Sequence, residues 1–124
     1  MTAGFRETLE GLASRVEGVR GISLIGRDGI TLEAVGAAAS GQDSQLEPVA
    51  AELTGILKHL MTPESSIESG VIRQFTIESG RSILILVAVT SEYYLLVLLS
   101  REGNFGRARF EARRAAAFLE KELV

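Results

Sequence analysis

SILILVAVTSEYYLLVLL, residues 82–99, holds two apolar runs separated by Thr90, Ser91 and Glu92. Both runs, ILILVAV at 83–89 and YYLLVLL at 93–99, are apolar at odd and even positions alike, so as strands they need cover on both faces. Each is seven residues long, far below the roughly 20 that a membrane-spanning helix needs. The stretch therefore predicts two adjacent central strands of a sheet packed between two layers of helix.

Immediately upstream, GVIRQFTIES at 70–79 reads as a third strand, joined to residue 82 through Gly80 and Arg81. Val71, Arg73, Phe75 and Ile77 share one face, and Gln74, Thr76 and Glu78 the other, which is the mixed pattern of an edge strand. Nearer the N-terminus, ISLIG at 22–26 and ITLEAV at 30–35 are divided by Arg27, Asp28 and Gly29. A D-G pair at that spacing favours positive φ and predicts a hairpin.

Three amphipathic stretches supply the cover. Phe5, Leu9, Leu12, Val16 and Val19 recur at three- and four-residue steps, with Gly18 and Gly21 expected to end that helix. GAAASGQDSQ at 36–45 reads as a loop leading to a second helix, with Asp43 or Ser44 as its cap. That helix carries the stripe Leu46, Val49, Ala50, Leu53, Ile56, Leu57 and Leu60, holds Pro48 in its first turn, and ends near Thr62 and Pro63. Asn104 is placed to cap the last helix, whose buried stripe is Phe105, Ala108, Ala112, Ala115, Ala116, Leu119 and Leu123. The predicted order is α-β-β-α-β-β-β-α, a single domain over residues 1–124 in which a five-stranded antiparallel sheet forms the middle of a three-layer α/β/α sandwich.

Composition narrows the function. The net charge of −3 supplies no bulk positive field for nucleic acid or an anionic membrane, and neither partner is expected. There is no cysteine, which removes disulfides and thiolate chemistry and fits a reducing, cytoplasmic setting. The N-terminal residues alternate charged and apolar side chains, unlike a secretory signal. FLEKELV at the C-terminal end offers no prenylatable cysteine.

Catalytic constellations are not found. His59 is the only histidine, so no histidine-rich metal site is expected within one chain. Neither G-x-S-x-G, G-x-x-x-x-G-K-[ST] nor G-x-G-x-x-G occurs, which argues against a hydrolase, a nucleotide hydrolase and a dinucleotide site. Asp28, Glu33, Glu68 and Glu78 read as solvated charges. No catalytic residue and no cofactor is assigned. Arg107, Arg109, Arg113 and Arg114 make a basic run with Glu111 within a turn of two of them; this reads as a solvated helix face, with an acidic docking site as the alternative. Tyr93 and Tyr94 open a strand and read as packing residues rather than a stacking platform.

The layout, the segment LIGRDGITLEA at 24–34 and the closing REGNFGRARFEARRAAAFLEKEL at 101–123 together resemble the roadblock/dynein light chain family, its bacterial MglB-like branch in particular. The resemblance spans essentially the whole chain. It implies a dimer of α/β/α units that serves a small Ras-like GTPase as scaffold or activator of hydrolysis, and it brings no catalytic residue.

The residues add their own argument for a homodimer. An unpaired strand at 71–79 exposes a row of backbone groups that its twin would satisfy, unless Arg73 blocks the edge as an inward-pointing charge. On the second helix, Ala51 and Gly55 lie one turn apart and permit close approach of another helix, while glycine there costs about 1 kcal/mol relative to alanine. Ala51, Gly55, Val71, Arg73, Phe75 and Ile77 are the expected dimer interface. Glu52, Lys58, His59, Arg73 and Arg81 are the expected GTPase contacts. A sensory domain holding a small molecule between sheet and helix is the competing class, and requires an apolar pocket with convergent polar groups.

Overall fold

The computed structural model describes residues 2–36, 53, 55, 56 and 72–123. Helix α1 (Thr2–Arg15) is followed by β1 (Val19–Gly26), β2 (Thr31–Gly36), β3 (Gln74–Glu78), β4 (Ser82–Ala88), β5 (Tyr93–Ser100) and the C-terminal helix α2 (Phe105–Leu123). All strand pairings are antiparallel and the spatial order is β2-β1-β5-β4-β3. The two apolar runs of residues 82–99 are thus β4 and β5, with β5 at the centre and β3 at an edge. The expected loop after residue 36, its caps Asp43 and Ser44, and most of the expected helix over 46–61 lie outside the described residues. Of that helix Leu53, Gly55 and Ile56 are described, and all three are helical.

Each face of the sheet has its own core. Ile22, Leu24, Ile85, Val87, Leu95, Val97 and Leu99 project to one side, where Leu9, Leu12 and Val16 of α1 and Ala108, Ala112 and Leu119 of α2 meet them. The small alanines of α2 let that helix lie close to the sheet. On the opposite side Ile25, Leu86, Tyr94, Leu96 and Leu98 cluster with Leu53, and Phe75 and Ile77 pack against them half-buried. Strand alternation accounts for the division, since neighbouring residues of β5 belong to different cores.

The turns follow local chemistry. Between β1 and β2 the Gly26 amide donates to the Ile30 carbonyl at 2.7 Å and the Gly29 amide to the Gly26 carbonyl at 2.9 Å. Asp28 Oδ1 accepts from the Ile30 amide at 3.0 Å, and Gly29 takes the positive φ of 89° that such a loop demands. Asn104 Oδ1 accepts from the Arg107 amide at 3.0 Å, the expected N-cap of α2. At the end of α1, Gly18 has a φ of 94°, and a Cβ there would stand 2.4 Å from Gly103 Cα. This close backbone crossing is held by the Ser100 amide donating to the Gly18 carbonyl at 2.9 Å and the Asn104 amide to the Glu17 carbonyl at 3.1 Å. The start of β1 and the start of α2 are thereby joined.

Four expectations change. Val19 belongs to β1 rather than to the first helical stripe, because Gly18 has already left the helix. Gly21 is buried inside β1 and ends nothing. Ile56, expected in the buried stripe of the second helix, is 48% exposed, whereas Leu53 is 6% exposed. The strand expected over 70–79 is Gln74–Glu78, five residues long, since its partner β4 ends at Ala88 opposite the start of β3; Arg73 adds only a carbonyl that accepts from the Ala88 amide at 2.8 Å.

Candidate functional site

The far edge of β3 has no strand against it among the described residues. Phe75 and Ile77, from the expected dimer interface, sit on this strand and are half-buried on the face that also holds Leu53. Gly55 is exposed, and among the described residues a Cβ added to it would meet nothing within 4 Å. Ile56 beside it presents an exposed aliphatic side chain. The same core cluster thus holds Phe75 and Ile77 of β3 together with Leu53. Ala51 and Val71 lie outside the described residues.

Of the expected GTPase contacts, Glu52, Lys58 and His59 also lie outside them. Arg73 and Arg81 are both exposed, but they flank β3 at its opposite ends. At about 3.3 Å per residue, the five residues of β3 alone set them more than about 16 Å apart. The two arginines of one protomer therefore serve different places. Arg81 tops the β3–β4 turn, where Ser79 Oγ accepts from the amides of Arg81 and Ser82 at 3.4 and 3.2 Å. Arg101 braces that turn, reaching the Ser79 carbonyl at 2.9 Å and Glu78 Oε2 at 2.9 Å.

The basic run of α2 is divided in two by its geometry. Glu111, expected on a solvated face, is only 2% exposed; it turns in toward the α1–α2 seam because the helix phase puts it between Ala108 and Ala112 on the packed side. Its carboxylate collects Arg107 at 3.1 Å, Arg114 at 3.7 Å and Arg15 of α1 at 4.0 Å. Arg109 and Arg113 are left on the other flank. They line an open groove of about 730 Å³ between α2 and the β3–β4 edge, together with Arg73, Gln74, Thr76, Val87, Val89, Phe105, Ala116 and Glu120. The Arg109 guanidinium lies 5.5 Å from the centre of the Phe105 ring. No local motif announces this groove. Its only trace in the sequence is the four-residue spacing of Arg109 and Arg113 on either side of a glutamate that proves to be buried.

Tyr94 is 2% exposed and bears out the packing role expected of it. Burial raises its hydroxyl pKa; nearby Glu92 acts in the same direction and Arg27 against it. Among the described residues no group of three or more acidic, histidine or cysteine side chains is arranged to hold a metal ion. Among them, too, no helix is long and apolar enough to cross a membrane.

Residues 5–99 match the family model described as the Roadblock/LC7 domain. Several solved structures share the fold. MglC from Myxococcus xanthus is 24% identical with a TM-score of 0.75, the match covering 95% of this chain and 98% of that one. A Roadblock/LC7 domain from Streptomyces avermitilis is 21% identical with a TM-score of 0.77, over 94% and 95% of the two chains. The gliding protein MglB from Thermus thermophilus is 17% identical with a TM-score of 0.79, over 93% and 84%. No curated protein matches the sequence.

Proposed function

The chain belongs to the Roadblock/LC7 domain family, and from that premise we propose that it is a non-catalytic regulator or scaffold, a cytoplasmic homodimer that binds a small Ras-like GTPase. The observation that carries the dimer is the β3 edge, unpaired among the described residues, whose Phe75 and Ile77 share a core with Leu53. Pairing of β3 with its twin about a two-fold axis satisfies the backbone groups of both edges and produces a continuous ten-stranded sheet from two five-stranded ones. The same axis draws the two copies of the Gly55 surface together. Ala51, Gly55, Val71, Arg73, Phe75 and Ile77 then form the dimer contact, and Glu52, Lys58 and His59 stand on the composite platform for the GTPase.

The GTPase partner rests on family membership and on the likeness to MglB and MglC. A single GTPase straddling the two-fold axis contacts both protomers, so binding requires the dimer and gives two chains per GTPase. Stimulation of hydrolysis, in this proposal, works by repositioning the GTPase's own switch residues. An arginine inserted in trans would make a contribution of about 10³–10⁵ in rate. Arg73→Ala and Arg81→Ala therefore leave single-turnover hydrolysis within a few-fold of wild type; a collapse in either variant with binding retained reverses that assignment. The central test is capture of purified Ras-like GTPases loaded with GTP or GDP analogues, with the complex mass read by light scattering. Failure to bind in either nucleotide state removes the proposal and brings forward a small-molecule sensor. The groove beside β3 gives that competing class little support, since it is open and rimmed by arginine rather than enclosed and apolar.

A further inference from the structure

The groove between α2 and the β3–β4 edge has a floor and a rim of different chemistry. Val87, Val89 and Ala116 form part of the floor and are 6%, 3% and 5% exposed, with Phe105 half-buried beside them. Arg73 stands on the strand side, and Arg109 and Arg113 on the helix side; all three are exposed. Arg6, Arg15, Arg101, Arg107 and Arg114 each lie within 4 Å of a carboxylate. Arg73, Arg109 and Arg113, like the scattered Arg20, Arg27 and Arg81, have no such partner among the described residues, and the one acidic residue among the described residues lining the groove is Glu120. A chain with a net charge of −3 thus brings three arginines against one glutamate to a cleft of mixed polar and apolar lining.

We propose that this groove docks an acidic, amphipathic segment of a partner protein, with carboxylates on Arg73, Arg109 and Arg113 and apolar side chains on the Val87, Val89 and Ala116 floor. The proposal does not depend on the GTPase reading. Arg109 and Arg113 are one helical turn apart, about 6 Å. Carboxylates one turn apart on a helix, or two residues apart on an extended segment at about 6.6 Å, match that spacing. Arginine suits the task, because its planar fork engages a carboxylate through two hydrogen bonds. An exposed ion pair alone contributes little, so affinity depends on the floor excluding water while the rim selects the charge. The groove opens on the α2 face of the sheet; Arg73 borders both it and the proposed dimer contact, whereas Arg109 and Arg113 belong to the groove alone and perturb it separately.

The probe is a fluorescein-labelled peptide of alternating glutamate and leucine, with a lysine-leucine and a glutamate-serine peptide as comparisons, followed by anisotropy on the full chain. The glutamate-leucine peptide is expected to bind in the micromolar range, to weaken with added salt, and to shift the amide resonances of Val87, Val89 and Ala116. Both comparison peptides bind at least tenfold more weakly. Arg109→Glu with Arg113→Glu reduces affinity at least tenfold, while Arg6→Gln, on α1, leaves it unchanged. Circular dichroism of each variant confirms the fold, and Arg109→Gln with Arg113→Gln replaces the charge reversal should that variant fail to fold. No binding at millimolar protein, equal binding of the lysine peptide, or affinity within twofold of wild type in the double variant overturns the proposal. Loss of binding in Glu78→Pro, which removes an outward-facing amide of β3 outside the groove, with the arginine variants unaffected also overturns it, in favour of addition to the strand edge. A single-stranded oligonucleotide that competes more strongly than the peptide does so in favour of nucleic acid.

Discussion

Replacing Glu111 by glutamine tests whether the α1–α2 seam is held by charge. The carboxylate is 2% exposed, whereas the side chains of Arg107, Arg114 and Arg15 are 52%, 62% and 54% exposed. All three guanidinium groups remain hydrated after the change, so the penalty of about 3–5 kcal/mol for stranding a buried charge does not apply. Glutamine still offers Arg107 a carbonyl acceptor at the 3.1 Å contact, and what disappears there is charge assistance, about 1 kcal/mol. The contacts to Arg114 at 3.7 Å and Arg15 at 4.0 Å are solvent-screened and contribute about 0.3–0.5 kcal/mol each. The expected destabilisation is about 2 kcal/mol, or a fall in Tm of about 6–8 °C for a domain of this size. Urea and thermal denaturation at matched protein concentration measure it, because an oligomer's midpoint depends on concentration. In about 1 M salt the Debye length shrinks to roughly 3 Å and about half the difference should vanish. A variant within about 0.5 kcal/mol of wild type at low salt, which is the scatter of neutral surface changes, refutes the electrostatic account of the seam.

Four further outcomes are expected. Asn104→Ala removes the acceptor for the Arg107 amide and costs about 1 kcal/mol by chemical denaturation. Gly18→Ala combines a φ of 94° with a Cβ driven onto Gly103, and should cost more than about 2 kcal/mol or yield insoluble protein; a near-neutral result would show that the crossing of the two glycines is loose. Because burial raises the Tyr94 pKa, the unfolded chain ionises first: stability is whole below the ordinary tyrosine range and is lost as pH rises through the folded value. Denaturation midpoints across alkaline pH should fall less steeply in Tyr94→Phe. Thr76→Pro deletes a backbone donor that faces away from β4 on the free edge of β3, and light scattering at micromolar concentration should read a monomer for it and a dimer for the parent.

What the sequence discloses here is what neighbours in the chain decide among themselves. The apolar runs at 82–99, the Asp28-Gly29 turn and the Asn104 cap each depend on a few adjacent residues, and each stands where it was expected. The length of β3 does not, since its ladder stops where β4 stops. Val19 fell in phase with the helical stripe, but the phase has no force beyond Gly18, where the backbone turns to positive φ. Glu111 looked solvated because its arginine neighbours are, while its burial is set by α1 arriving from the other end of the chain with Arg15. Of the groove the sequence shows only the basic run with Arg109 and Arg113, whose alternative reading is an acidic docking site, because the rest of its wall is assembled from distant segments around residues 73–76 and 87–89. Of the expected surface residues, Phe75 and Ile77 pack on one core with Leu53, and Arg73 and Arg81 are held apart by the strand between them.

The position of β5 governs how the molecule can be made. It is the last strand to be synthesised, yet it stands between β1 and β4 and pairs with both. Until residues 93–100 emerge, the β1–β2 hairpin and the β3–β4 hairpin are separate ribbons, each with an apolar edge waiting for the same strand. Two-stranded ribbons are marginal in water, so neither half gains much by folding early. The crossing of Gly18 and Gly103 adds a closure between segments more than eighty residues apart. Closure of that span is entropically slow, as is pairing between strands so distant in sequence. The two hairpins therefore join into one sheet only through residues 93–100, an arrangement that favours cooperative closure around the central strand.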